Sequence, residues 1–225
     1  MKISPFLLDK NNHAAIDGKS VAMRVLEQDK KHLWDERGPA IVDTAVIHFA
    51  SAHDVNKRRA FDMKLVVKIF CDLGVSCHYM IDRKGKIFSL VPEDKKAWHC
   101  GGSIMPLPDN RRGVNVFSIG IELIATRDSG FTEKQYASLV SLCRNMEKRH
   151  KRELIYVGHE HIAGKRAVKL GLRKDIKVDP GNNFNWNKFL CALRTPPKRR
   201  LESKHHQTMP AAFENSGIVA HSKNH

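Results

Sequence analysis

The stretch Phe117-Ser118-Ile119-Gly120-Ile121-Glu122-Leu123-Ile124 alternates with period two, placing Phe117, Ile119, Ile121 and Leu123 on one face and Ser118, Gly120 and Glu122 on the other. Such alternation is the mark of a β-strand. Working outward, residues 45–49 (Ala-Val-Ile-His-Phe) and 154–157 are further short strands. Residues 77–81 and 87–91 read as two strands around Asp82-Arg83-Lys84-Gly85, a hairpin turn. Between them the period changes to that of a helix. Phe61, Leu65, Val66, Ile69, Phe70 and Leu73 keep helical spacing, and Gly74 follows as a stop. Thr132 with Gln135 makes a capping box for a helix striped by Tyr136, Leu139, Val140, Cys143 and Met146. A last short helix begins near Asn185 or Trp186. Strands alternating with helices predict an α/β fold: a central mixed β-sheet flanked by helices.

The ends of the chain have a different texture. Residues 1–40 are polar and read as an N-terminal extension, partly helical, with a helix expected near residues 20–33. Residues 41–194 hold the core-forming pattern, and residues 195–225 form a basic tail expected to be disordered. Apolar residues are 41% of the 225, and mean hydropathy is -0.43, so the middle of the chain must supply most of the core. No run has the length of a membrane span. Phe6-Leu7-Leu8 is too short for the apolar region of a signal peptide. The expectation is synthesis in the cytoplasm without a signal peptide, with any access to a cell wall by lysis or a specialised export route. Five cysteines, odd in number and without a CxxC pair, read as reduced and mostly buried thiols, not a disulfide scaffold.

Thirty-nine Lys+Arg against 24 Asp+Glu give a formal charge of +15, a field that favours anionic partners. Lys57-Arg58-Arg59, His150-Lys151-Arg152 and Lys198-Arg199-Arg200 lack the interleaved stacking aromatics of a nucleic-acid binder, so no specific nucleic-acid partner is expected. The oligomeric state is not encoded in any pattern of the sequence.

Thirteen histidines are present, and two stand in apolar strands: His48, opposite in facing to Ile47 and Phe49, and His159, closing Tyr156-Val157-Gly158. Either is open to a hydrogen-bonded core role or to metal ligation. Asp179 sits in the turn Lys177-Val178-Asp179-Pro180-Gly181, which fixes a carboxylate in place. Two neutral imidazoles and a carboxylate suit a catalytic zinc with its fourth position open. Glu122, a carboxylate inside an apolar strand, is expensive unless a salt bridge or a general-base role employs it.

In order and local texture these pieces resemble the zinc-dependent N-acetylmuramoyl-L-alanine amidases: the type 2 amidases, which include anhydro-muropeptide and phage lysozyme-type enzymes, and the peptidoglycan recognition proteins. The likeness is carried by Val46-Ile47-His48-Phe49, by the hairpin from Cys77 and His78 to Ile87, by Ala97-Trp98-His99-Cys100-Gly101, by Asn115 with Ser118 to Leu123, by Val157-Gly158-His159, and by Lys177-Val178-Asp179-Pro180-Gly181 with Phe184 and Trp186. It spans roughly residues 44 to 190. It implies that residues 41–194 are a catalytic domain with one zinc per chain, held by His48, His159 and Asp179. Glu122 would then orient or deprotonate the attacking water, Lys177 would stabilise the oxyanion, and His99 and Asn115 would line the substrate groove or else pack its loops. The implied reaction is hydrolysis of the amide between N-acetylmuramic acid and L-alanine, in peptidoglycan or a soluble muropeptide. The alternative is a peptidoglycan-binding module without catalysis, but such relatives lose a metal ligand, and here every position is kept. The link from residue 162 to 176 is longer and more basic than in the bacterial enzymes, and Ile176 replaces an arginine often found before the lysine. The disulfide of animal recognition proteins has no counterpart, which favours the bacterial and phage branch.

Overall fold

The alternating run lies at the centre of the sheet. A computed structural model describes residues 1–8, 10, 13–16, 19–22 and 32–194. In chain order the strands are β1 (Ile3–Pro5), β2 (His13–Ile16), β3 (Lys19–Ala22), β4 (Trp34–Glu36), β5 (Thr44–Ala50), β6 (Tyr79–Ile81), β7 (Ile87–Ser89), β8 (Lys95–Ala97), β9 (Ser118–Ile124) and β10 (Ile155–Gly158). The helices are α1 (Met63–Asp72), α2 (Glu133–His150), α3 (His159–Ile162), α4 (Lys165–Lys169) and α5 (Trp186–Arg194). Six strands form one mixed sheet in the order β1-β7-β6-β9-β5-β10, with β6 and β7 antiparallel and the other neighbours parallel. This is the α/β architecture expected from the alternation of periods.

Register decides which side chains meet. β5 and β9 place His48 beside Glu122, and β6 adds Met80 on the same row. Ala45, Ile47, Ile119, Ile121 and Leu123 face the other way and join the stripes of α2 and α5 in one apolar cluster. There the loss of a buried Ile121 side chain by truncation to Ala would cost about 2–5 kcal/mol. Thr132 and Gln135 form the predicted capping box of α2. α1, N-capped by Asp62, covers the opposite face through Val66, Val67 and Cys71. Between that second cluster and a third around Val46, Val157 and Cys100, the sheet presents His48 and Glu122.

The region before residue 40 differs from the expectation of a helix. Ser20 to Ala22 belong to β3, paired antiparallel to β2 with Ile16 opposite Lys19. The two residues between them are Asp17-Gly18, a pair that favours the tightest hairpins. Residues 23–31 of the expected helix lie outside the described residues. β1 extends the central sheet beside β7, and Phe6 and Leu8 are buried below it. The tail, residues 195–225, also lies outside the described residues. Cys71, Cys77, Cys100 and Cys143 are free and buried, and Cys191 is partly exposed.

Candidate metal centre

Parallel strands that end together carry the centre. His48 comes from β5, His159 from the start of α3 immediately after β10, and Asp179 from the turn before α5. Two backbone hydrogen bonds tie these segments: Glu160 N–H to Asp179 O at 2.9 Å and Lys177 N–H to Ala163 O at 3.0 Å. The β10–α3 junction needs Gly158, because a Cβ there would stand 2.7 Å from Pro180 Cδ, in the turn that follows Asp179.

Three side-chain atoms converge. His48 Nδ1 and His159 Nδ1 are 3.2 Å apart, and Asp179 Oδ2 lies 2.9 Å from the first and 3.2 Å from the second. With both rings neutral, protons leave this triangle unsatisfied. His159 Nε2 stands 3.1 Å from Cys100 O, and a carbonyl only accepts, so in the neutral ring the proton is on Nε2 and the Nδ1 lone pair faces the carboxylate oxygen. A cation between the three atoms removes that conflict. Bonds of about 2.0–2.1 Å at tetrahedral angles give ligand–ligand edges of roughly 3.3 Å, close to the edges observed. The donor set thus fits a tetrahedral divalent ion with one position left over. Burial lowers the His48 pKa to about 4, so its ring is neutral, as a ligand must be. Burial alone would raise the Asp179 carboxyl, but His159 and His48 hold it well below the usual carboxylate range.

Glu122 borders the triangle. Its Oε1 is 4.0 Å from His48 Nδ1, and its Oε2 is buried with no hydrogen-bond partner among the described residues. Burial and the Asp179 charge push its carboxyl well above the ordinary range, against a smaller pull from Lys177. Lys177 itself is exposed and lines a cleft of ≈ 470 Å³ beside the triangle, with Phe49, Arg127, Glu160, Lys165 and Asn183 among its walls. The cleft opens at the carboxyl ends of the parallel strands, where α/β sheets bind ligands.

The loop 99–100 backs both histidines. His48 Nε2 is 3.1 Å from His99 Nδ1, while His159 donates to Cys100 O. His99 lies against Gly120, where a Cβ would come within 2.4 Å of its Cγ. Asn115, expected along the groove, is buried, and its Oδ1 accepts from the backbone N–H of His99 and of Cys100, fastening this loop.

Sequence reading passed over two residues here. Arg37 is buried and donates to five backbone oxygens, those of Glu93, Lys95, Asn115, Val116 and Ser118, knitting the strands around His99. Burial lowers its pKa to about 10. His78 accepts from Gly120 N–H through Nδ1, which puts its proton on Nε2, toward Lys95 O. Nothing in the local sequence marks either one.

The family model described as N-acetylmuramoyl-L-alanine amidase matches residues 37–182. The chain belongs to that family. Among curated relatives of this chain are the 1,6-anhydro-N-acetylmuramyl-L-alanine amidases AmpD of Enterobacter cloacae, 34% identical over 130 residues, and of Citrobacter freundii, 37% identical over 128 residues. Each alignment covers 57% of this chain, and 63% and 62% of the relative respectively, so the chain spans somewhat less than two thirds of the length of the curated relatives it matches. A crystal structure of a selenomethionine AmpD derivative superposes with a TM-score of 0.54 at 26% identity, covering 83% of this chain and 98% of that one. The mixed sheet with flanking helices is therefore the amidase fold, as the sequence implied. Among the described residues, no helix is long and apolar enough to cross a membrane.

Proposed function

We propose that this family member is a zinc-dependent amidase that hydrolyses the bond between N-acetylmuramic acid and L-alanine, in peptidoglycan or in soluble muropeptides. The observation that carries this reading is the triangle of His48, His159 and Asp179 with the unpartnered Glu122 oxygen beside it. A binding module needs neither a metal-fitting triangle nor a stranded carboxylate. The relatives' names, 1,6-anhydro-N-acetylmuramyl-L-alanine amidase, support the same bond as the target.

In this reading His48, His159 and Asp179 hold one zinc per chain. When bound, zinc supplies Lewis-acid polarisation of water and of the scissile carbonyl. Glu122 accepts the proton of the attacking water and returns it to the leaving amine of L-alanine, the two tasks of one general acid–base. Lys177 faces the oxygen on which negative charge grows, as an oxyanion donor. The cleft beside the triangle takes the stem peptide, whose carboxylates meet Arg127, Lys165 and Lys177. We assign His99 and Asn115 to support of the centre: His99 orients His48, and Asn115 orients the loop that carries His99.

The test is mass spectrometry of products from intact sacculi and from soluble anhydro-muropeptides, with zinc measured in the same samples. A free lactyl carboxylate on the sugar and a new L-alanine amine are expected. New reducing ends would mean a glycosidase, and cleavage between amino acids a peptidase. The preferred substrate is the one cleaved faster.

A further inference from the structure

A second group of donors touches the first through a single ring. On the side of His48 away from Asp179, its Nε2 lies 3.1 Å from His99 Nδ1, and Cys100 Sγ lies 3.0 Å from the same His99 nitrogen. The three atoms His48 Nε2, His99 Nδ1 and Cys100 Sγ all fall within 4.8 Å of one another, and all three residues are buried. His99 Nδ1 is the shared neighbour: His48 Nε2 and Cys100 Sγ both approach this one nitrogen. His99 is held in this position from the other end, where its Nε2 faces Ser118 Oγ at 3.3 Å and that hydroxyl donates to Val114 O at 2.7 Å.

We propose that His48, His99 and Cys100 form a second metal position, selective for thiophilic ions, which excludes zinc from the triangle of His48, His159 and Asp179. The proposal rests on the zinc reading above. Selectivity follows from the sulfur: a thiolate with two imidazoles suits Cd²⁺ or Cu⁺ better than the carboxylate-containing triangle does. Zinc-like bonds of about 2.3 Å to sulfur and 2.0 Å to nitrogen would place donors roughly 3.3–3.6 Å apart at tetrahedral angles, so the two edges that meet at His99 Nδ1, 3.1 and 3.0 Å, would have to lengthen.

Exclusion follows from the proton on His48. A neutral imidazole carries one N–H and one lone pair. With zinc in the triangle, Nδ1 is the ligand and Nε2–H donates to His99. With a thiophilic ion on the far side, Nε2 is the ligand and the proton sits on Nδ1, 2.9 Å from Asp179 Oδ2, which accepts it. Charge and atoms balance: one thiophilic ion enters, one zinc leaves, the Cys100 thiol releases its proton to solvent, and the His48 proton changes nitrogen without being lost. No redox step is involved. The protein would thus yield its zinc to a soft metal without any ligand residue having to move far.

The experiment is an equilibrium titration of the zinc-loaded full chain with CdCl2, followed by thiolate-to-cadmium charge-transfer absorption in the ultraviolet and by mass-spectrometric counting of released zinc. The expected result is one cadmium bound, one zinc released, and a thiolate band. Cys100→Ala and Cys100→Ser should both lose the band and should require on the order of 10-fold more cadmium to release zinc. Cys191→Ser, at a cysteine outside this group, should keep the wild-type response, and thermal melting separates misfolded variants from informative ones. Zinc release without a thiolate band would place cadmium in the triangle and overturn the proposal, as would a band that persists in both Cys100 variants. A band with zinc retained, two ions per chain, would overturn the exclusion. If the purified protein holds no zinc, the catalytic reading fails by itself, and the dependence of the cadmium band on Cys100 still decides the second position.

Discussion

His99 meets His48 edge-on, their ring centroids 5.3 Å apart and their planes at 90°, so that a nitrogen of each ring faces the other. Outer partners of this kind set the orientation and basicity of a metal-binding histidine, and their loss weakens metal affinity about 10–100-fold. His99→Ala should therefore weaken zinc binding by about 10–100-fold, read by competition against a chelator. His99→Asn, which keeps an acceptor near the Nδ1 position, should recover part of it. Wild-type affinity in His99→Ala would remove the orienting role.

Gly120→Ala should produce the same loss without altering any donor, because its Cβ would stand 2.4 Å from His99 Cγ and displace the ring. The two substitutions act through one contact, so combining them should cost little more than either alone. Additive losses in zinc affinity would mean that Gly120 acts by another route.

Replacing His48, His159 or Asp179 by Ala should each leave the purified protein with far less than one zinc per chain, since a catalytic centre of this type has three protein ligands. Elemental analysis decides this. Full occupancy in all three variants would end the ligand assignment.

Glu122→Gln should keep its zinc and lose roughly 10²–10⁴-fold in kcat, the usual worth of a general acid–base. It should also be at least as stable as the parent at neutral pH, because it replaces a buried carboxyl whose Oε2 has no partner among the described residues. Lys177→Met, at an exposed position, should retain zinc and lose on the order of 10²–10³-fold. Near-parental turnover in either zinc-loaded variant would show that the residue has a different task.

His78 makes a pH prediction. Burial, followed by the neighbouring Arg37 charge, lowers its pKa from 6.5 to about 3, so the folded protein keeps this ring neutral. Below pH 6.5 the unfolded chain binds a proton here that the folded protein refuses, so stability falls as pH falls through the window from 6.5 to about 3. His78→Asn keeps an acceptor for Gly120 N–H and cannot titrate. In chelator-treated samples, its Tm should decline less between pH 7 and pH 5 than that of the parent. Equal slopes would mean that His78 is protonated in the fold.

Long elements were legible in the sequence because their own period announces them. β9 alternates, α2 carries both its cap and its stripe, and Glu122 stood out as a charge where a strand is apolar. The short strands had no such signal. β8 is Lys-Lys-Ala, poor strand material, and it pairs with Trp34-Asp35-Glu36 through Lys95–Glu36 and Lys96–Asp35 ion pairs that have meaning only once the strands are adjacent. Around β2 and β3 the sequence lacks apolar alternation, and a helix was expected near residues 20–33 instead. In the centre, His48, His159, Asp179 and Glu122 could be picked out singly, yet their meeting depends on strand register. The ties among His99, Cys100 O and Gly120 are backbone and shape relations, which composition does not encode. The same holds for Arg37, whose partners are five carbonyls and the His78 ring.

The pairing of β1 with β7 bears on how this chain should be trimmed. The family match starts at residue 37, which invites a shortened protein beginning there. Such a cut would strip β7 of its neighbour, leave a row of backbone donors and acceptors open, and uncover the apolar floor now shielded by Phe6 and Leu8. Copies of the shortened chain would then be able to zip together edge to edge. The boundary of ancestry and the boundary of solubility are thus different places in this protein, and the first eight residues serve as a selvedge that keeps the sheet from fraying into its neighbours.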